Sequence, residues 1–210
     1  AGSSAGLTQG PDGASHQSLE DVALMRALPN MRVLVPADAV ETAAMTRALA
    51  TLEGPAYLRL GRYPVPDVLP ADYRFALGRI HTLREGEDVA ILACGHTVYT
   101  SLLAADDLAR RGIRATVANV STIKPLDAAA VRDLAASAPL VVSVEEHSVI
   151  GGLGSAVAEV LAEMGGAPRL VRLGTQDVFG ESATADELLE KHGLSGPRIA
   201  ARVAEKLARR

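Results

Sequence analysis

Apolar runs rich in β-branched residues alternate along this chain with longer segments of helical period. That alternation admits few folds, because strands buried on both faces need helices to cover them, so an α/β fold with a mostly parallel sheet is expected. The candidate strands are Arg32–Val35, Ala56–Leu60, Val89–Cys94, Ala115–Val120, Leu140–Val144 and Arg169–Leu173, each closed by Pro, Gly or polar residues. The candidate helices are Leu19–Leu28, Ala39–Leu52, Val98–Arg111, Ala128–Ala136, Gly154–Met164, Ala185–His192 and Pro197–Leu207. Ser18 with Asp21, and Asp38 with Glu41, put a capping oxygen and an acidic group at two helix starts. Ser182 or Thr184 is the expected cap of the helix at Ala185.

The run Gly61–Pro70 contains three prolines and reads as an extended linker, since proline can continue neither a helix nor an interior strand. It divides the chain into a first unit over residues 1–66, a linker over 67–77 and a second unit over 78–210. Ala76–Leu83, followed by the turn at Glu85–Glu87, reads as a short antiparallel strand leading into the second unit. The first unit has too few strands before the linker to close a sheet, so further strands are expected from upstream or from another chain.

Composition narrows the partners. With 48% hydrophobic residues, a core can be buried; with 21 basic against 25 acidic residues spread along the chain, no basic stripe is available for nucleic acid. No apolar stretch is long enough to cross a bilayer. Cys94 is the only cysteine, which excludes an internal disulfide and is the usage expected of a cytoplasmic protein.

Three segments carry residues with chemistry. In Gly10–Gln17, Asp12 and His16 stand four apart on a tight loop before a helix, which suits either a capped loop with a surface histidine or a grip on a sugar. Gly151, Gly152 and Gly154 precede a helix, and close helix–sheet contact explains them better than a phosphate does. Glu145, Glu146 and His147 are adjacent, so they point to opposite faces; they are expected to serve a loop or a subunit contact, with no metal ligand among them.

The run Asp12-Gly-Ala-Ser-His-Gln17, followed by Leu28-Pro-Asn-Met31 and Pro36-Ala-Asp38, resembles a run of the same order in transketolases. Val120–Asp127 and Val144–Ser155 are similar to the family's C-terminal domain, so the resemblance covers nearly the whole chain. It implies the end of a pyrimidine-binding domain followed by the C-terminal domain. The family moves a two-carbon ketol unit from a ketose to an aldose with thiamine diphosphate and Mg2+. The resemblance places Asp12 and His16 against the substrate hydroxyls, with His16 at the reacting centre. It makes Arg62 the first choice and Arg59 the second for a terminal phosphate. Ser4 stands where many such chains carry a histidine; it supplies a hydrogen bond without charge, which weakens the implied preference for a phosphorylated acceptor.

The family's diphosphate and metal ligands, its activating glutamate and its aromatic platform have no counterpart in this sequence, so the fragment alone is expected to bind no cofactor or metal and to be inactive. The implied partners are sugars or sugar phosphates, a second subunit or missing N-terminal domains, and a homodimer mate. The alternatives within thiamine chemistry are 1-deoxyxylulose-5-phosphate synthase and the beta subunit of a 2-oxo-acid dehydrogenase, whose usual His-Ser disagrees with Gln17. A non-catalytic oligomerisation module is the reading from another class.

Overall fold

A computed structural model describes residues 1–209. The first part runs β1 (Gly2–Ser3), a 3-10 segment (Leu7–Asp12), α1 (Asp21–Ala27), β2 (Arg32–Leu34), α2 (Ala39–Leu49) and β3 (Ala56–Leu60). A stretch without regular structure leads to β4 (His81–Arg84), β5 (Val89–Ala93), α3 (Thr97–Arg110), β6 (Ala115–Asn119) and β7 (Thr122–Lys124). The chain ends with α4 (Ala128–Ala136), β8 (Leu140–Ser148), α5 (Leu153–Ala162), β9 (Arg169–Thr175), α6 (Ala185–Lys191) and α7 (Gly196–Ala208).

Two sheets form. The larger has the order β4-β6-β5-β8-β9, parallel except for the antiparallel edge strand β4. All of β5 and β6 is buried, as strands covered by helices on both faces must be. The smaller sheet has the order β1-β3-β2-β7. Its first three strands are parallel, and β7 closes the edge antiparallel to β2. The edge of the small sheet beside β2 is thus filled by a strand from this chain's own second half. Between β6 and β7 the chain crosses from one sheet to the other, held where Val35 N–H donates to Ser121 O and Val120 N–H donates to Ala93 O.

The cores follow the sheets. One lies between the large sheet and α3, α6 and α7, with Ile91, Leu108, Val142, Leu188 and Ile199 buried in it. A second joins the two parts of the chain, packing Val22, Val33 and Val35 against Leu92, Val141 and Leu153. The linker residues themselves are anchored: Asp38 caps α2 by accepting from Glu41 N–H, and its other oxygen accepts from Val68 and Leu69 N–H, all at 2.8 Å. Asp38→Ala removes a helix cap and orphans two linker amides. The expected cost is about 2 kcal/mol in a denaturant titration with an unchanged m-value. A loss below about 0.5 kcal/mol would show that the linker amides find water instead.

Two sequence expectations need correction. Ser18 does not cap α1: the helix begins at Asp21, Glu20 holds the cap position without a side-chain bond, and the Ser18 carbonyl accepts from Gly6 N–H and from Arg59. The segment Glu145–His147 is not a loop, because β8 continues through it to Ser148 with every residue buried. Its charged side chains are tolerated there because each meets polar backbone from a neighbouring element. The capping box at Thr184 and Glu187 is present, and Asp127 caps α4.

Candidate functional site

Asp12 ends the 3-10 segment and His16 lies on the exposed turn that follows it, with Arg62, just beyond β3, in contact with Asp12. Glycines at Gly10 and Gly13, with φ of 73° and 77°, give the loop its tight course, since other residues rarely adopt that backbone conformation. The Asp12 carboxylate accepts from Arg62 Nη1 at 2.7 Å and from Gln9 Nε2. Ser15 Oγ lies 3.0 Å from His16 Nδ1, and His16 N–H donates to Gly13 O.

Arg62 leaves the end of β3 with its side chain 60% exposed, so Nε and Nη2 remain free for an anion while Nη1 holds Asp12. Both partners face water, so the pair contributes little to stability and its arrangement matters more than its energy. The β1–β3 register pairs Ser3 with Leu60; carried one residue further it sets Ser4 beside Gly61, one position from Arg62. Ser4 has a φ of 64°. The structure therefore joins Asp12 to Arg62 just beyond β3 and leaves His16 exposed on the turn after Asp12; among the described residues no side-chain contact ties His16 or Ser4 to that pair.

Arg59, the second arginine suggested for a phosphate, lies in the interior and not on the exposed surface with Arg62. Its guanidinium is buried, donating through Nε to Asp21 at 2.8 Å and through Nη2 to the carbonyls of Ser18 and Glu146. Burial would raise the Asp21 carboxyl, but the Arg59 charge and hydrogen bonds from Arg59 and Tyr57 hold it below the usual carboxylate range. The arginine pins α1 and β8 to β3.

Behind this edge is a cleft of about 530 Å³ between the carboxyl ends of β2, β3, β5 and β8, the place where open α/β sheets present ligands. Val35, Ala37 and Leu60 form apolar wall, and Arg59, His96 and Glu146 reach it from the polar side. Burial lowers the basicity of His96, whose Nδ1 has no protein partner among the described residues, and the edge of Tyr63 packs on its ring at 5.5 Å. Sequence reading passed over this cleft because its walls are contributed by distant segments, most of them without a polar signal.

The glycine-rich start of α5 binds no phosphate in this geometry. Glu145 already accepts from Leu153 N–H at 2.7 Å and Gly154 N–H at 2.8 Å, and a Cβ on Gly152 would lie 1.9 Å from Glu145 Oε2. The glycines allow this close approach, as expected. His147, made less basic by burial, donates from Nδ1 to Ser148 O while Nε2 faces Ala23 N–H at 3.4 Å. Cys94 is buried, which pushes its thiol pKa up and leaves it inert.

Comparison with known proteins adds the following. The family model "Transketolase, pyrimidine binding domain" matches residues 1–66, and "Transketolase, C-terminal domain" matches residues 78–199. A Methanocaldococcus jannaschii protein described as a transketolase C-terminal section is 44% identical over 205 residues, covering 97% of this chain and 64% of its own length. A 1-deoxy-D-xylulose-5-phosphate synthase of Thermomicrobium roseum is 44% identical over 213 residues, covering 97% of this chain and 33% of its own. Among solved structures, a split-gene transketolase described as an inactive beta4 tetramer superposes with a TM-score of 0.90 at 48% identity, over 98% of this chain and 65% of that one. The chain thus spans under two thirds of these relatives.

Proposed function

This chain belongs to the transketolase family, and we propose that it forms the substrate-facing carboxy-terminal part of an enzyme that moves a two-carbon ketol unit between sugars. The observation that carries the reading is the exposed Asp12–Arg62 pair just beyond β3, with His16 on the exposed turn four residues after Asp12. A carboxylate and an imidazole there supply an acceptor and a donor for vicinal hydroxyls. Arg62 supplies two further donors for a terminal phosphate or other anion.

Thiamine diphosphate, when bound in such an enzyme, supplies the carbanion that carries the ketol unit. The residues described here do not fit its metal–diphosphate end. No three acid, imidazole or thiol groups among them are placed to hold a metal ion, and the glycine-rich start of α5 is closed by Glu145. We assign that site to a partner subunit or to residues outside this sequence, a reading supported by the split-gene relative. The work left to this chain is to bind and orient two sugars in succession.

The test is to assemble the chain with the cofactor-binding partner and measure ketol transfer from a ketose to an aldose. Absence of transfer with every ketose donor, in an assembled and cofactor-loaded complex, sinks the proposal. Formation of 1-deoxy-D-xylulose 5-phosphate instead places the chain with the synthase relative. Within an active complex, His16→Ala is expected to lower kcat/KM by about 10- to 100-fold through lost hydroxyl contacts. The melting temperature should stay put, because the side chain is exposed. An unchanged kcat/KM removes His16 from the site.

A further inference from the structure

The residue after His16 is spent inside the protein, and where it points links the two halves of the chain. Gln17 is buried, and its Nε2 faces three carbonyl oxygens: Leu7 O at 3.3 Å, Gly10 O at 3.1 Å and Glu181 O at 2.9 Å. All three are acceptors, so the orientation of the amide is fixed by its surroundings. Leu7 and Gly10 belong to the segment that carries Asp12, whereas Glu181 lies 164 positions further on, in the loop before α6. The other side of the amide is held by packing alone: Oε1 has no hydrogen-bond partner among the described residues and rests against Gly180, where an added Cβ would sit 1.7 Å away.

The neighbouring contacts run along the same seam. A Cβ on Gly13 would meet Ser182 Oγ at 2.5 Å, and one on Gly10 would meet Ala183 O at 3.5 Å. The 180–184 loop is itself held by the capping box of α6, in which Thr184 and Glu187 bond reciprocally. On the other side of the seam, the chain direction at Gly10–Gly13 decides where the Asp12 carboxylate meets Gln9 and Arg62, and Gly13 O receives the His16 amide.

We propose that Gln17 is a positioning residue which latches the Asp12–His16 loop to the Gly180–Glu181 segment, making that segment of the carboxy-terminal half a determinant of sugar affinity although it touches no sugar. The inference deepens the function proposed above and rests on it. Removing the latch leaves the chain folded around its intact cores but lets the loop leave the geometry in which Asp12 meets Arg62 and His16 follows on the exposed turn. The loss therefore falls on binding.

Two variants approach the latch from opposite halves. Gln17→Met keeps length and volume but removes the donor, and Gly180→Ala intrudes on Oε1 from the far side. In the assembled enzyme, each is expected to raise KM for the sugar about tenfold with kcat changed by less than about threefold. The double variant should be no worse than Gln17→Met alone, since both open one contact. In the same chains, hydrogen exchange should quicken at the amides of Leu7–Gly13 and stay unchanged in β5 and β8. A lowered melting temperature with an unaltered KM, or unaltered exchange in Leu7–Gly13, overturns the proposal by reducing Gln17 to a packing residue. If Gln17→Met does not fold, Gly180→Ala alone decides between these outcomes. If the wild-type complex transfers no ketol unit, the functional reading fails first, and the exchange data still report whether the latch exists.

Discussion

Arg59→Met is expected to lower the unfolding free energy by about 3–5 kcal/mol, the range for removing one member of a buried ion pair. The Asp21 carboxylate would be left in the interior with only the Tyr57 hydroxyl to answer it, and the carbonyls of Ser18 and Glu146 would lose their donor. For a chain of this length, the loss corresponds to a fall in Tm on the order of 10 °C. Adding Asp21→Leu to Arg59→Met removes the stranded charge. It should recover more than half of the loss, while the two carbonyls keep recovery short of complete. Denaturant titration of wild type, both single variants and the double variant measures the coupling. Single-variant costs that simply add would show that the pair is no unit, and would take from Arg59 the task of holding β3, α1 and β8 together.

The second large effect is one of pH. Burial raises the Glu145 carboxyl to about 7, against the pull of the Gly154 and Leu153 amides, whereas an exposed glutamate titrates near 4.5. A raised carboxyl favours the protonated folded state. Its contribution is full below the unfolded value and is lost as pH climbs through the folded one. The window runs from about pH 4.5 to about pH 7. Glu145→Gln does not titrate, so its stability relative to wild type should rise across that window by on the order of 2–3 kcal/mol. A constant offset of about 1 kcal/mol accompanies the change, because an amide offers one acceptor to the two N–H groups of Leu153 and Gly154. Stability curves that run parallel from pH 4.5 to past pH 7 would contradict the argument.

The parallel architecture was legible because β5 is a continuous apolar run and β6 and the first half of β8 are nearly so, the pattern of strands buried on two faces. What escaped depended on partners far away. Thr122–Lys124 was not among the candidate strands, being only three residues long, and becomes one because Val33 and Leu34 lie alongside. Charged Glu145 and Glu146 seemed to end a strand, yet continue it because α5 and Thr8 bring amides to them. Ser18 looked like a cap by spacing alone, whereas its carbonyl had other uses.

At the candidate site, residue type and order left Asp12 and His16 open, and the family resemblance pointed to them and to Arg62. None of these could show that Asp12 and Arg62, 50 positions apart, touch. Nor could they separate Arg59 from Arg62, because alternation along β3 decides which guanidinium turns inward, and that depends on Asp21 being there to meet it. Gln17 stood out only as one letter in a motif. Its meaning came from Glu181.

The passage of β7 onto the edge of the small sheet also has a mechanical consequence. A proline-rich connector between two units invites the picture of a hinge, but here each unit lends the other a structural member: β7 travels one way, and Val22, Val33 and Val35 travel the other into a shared core. Pivoting about the connector would have to tear a strand from its neighbour and open the shared core, so the proline-rich stretch is a strap across one body and not a hinge between two.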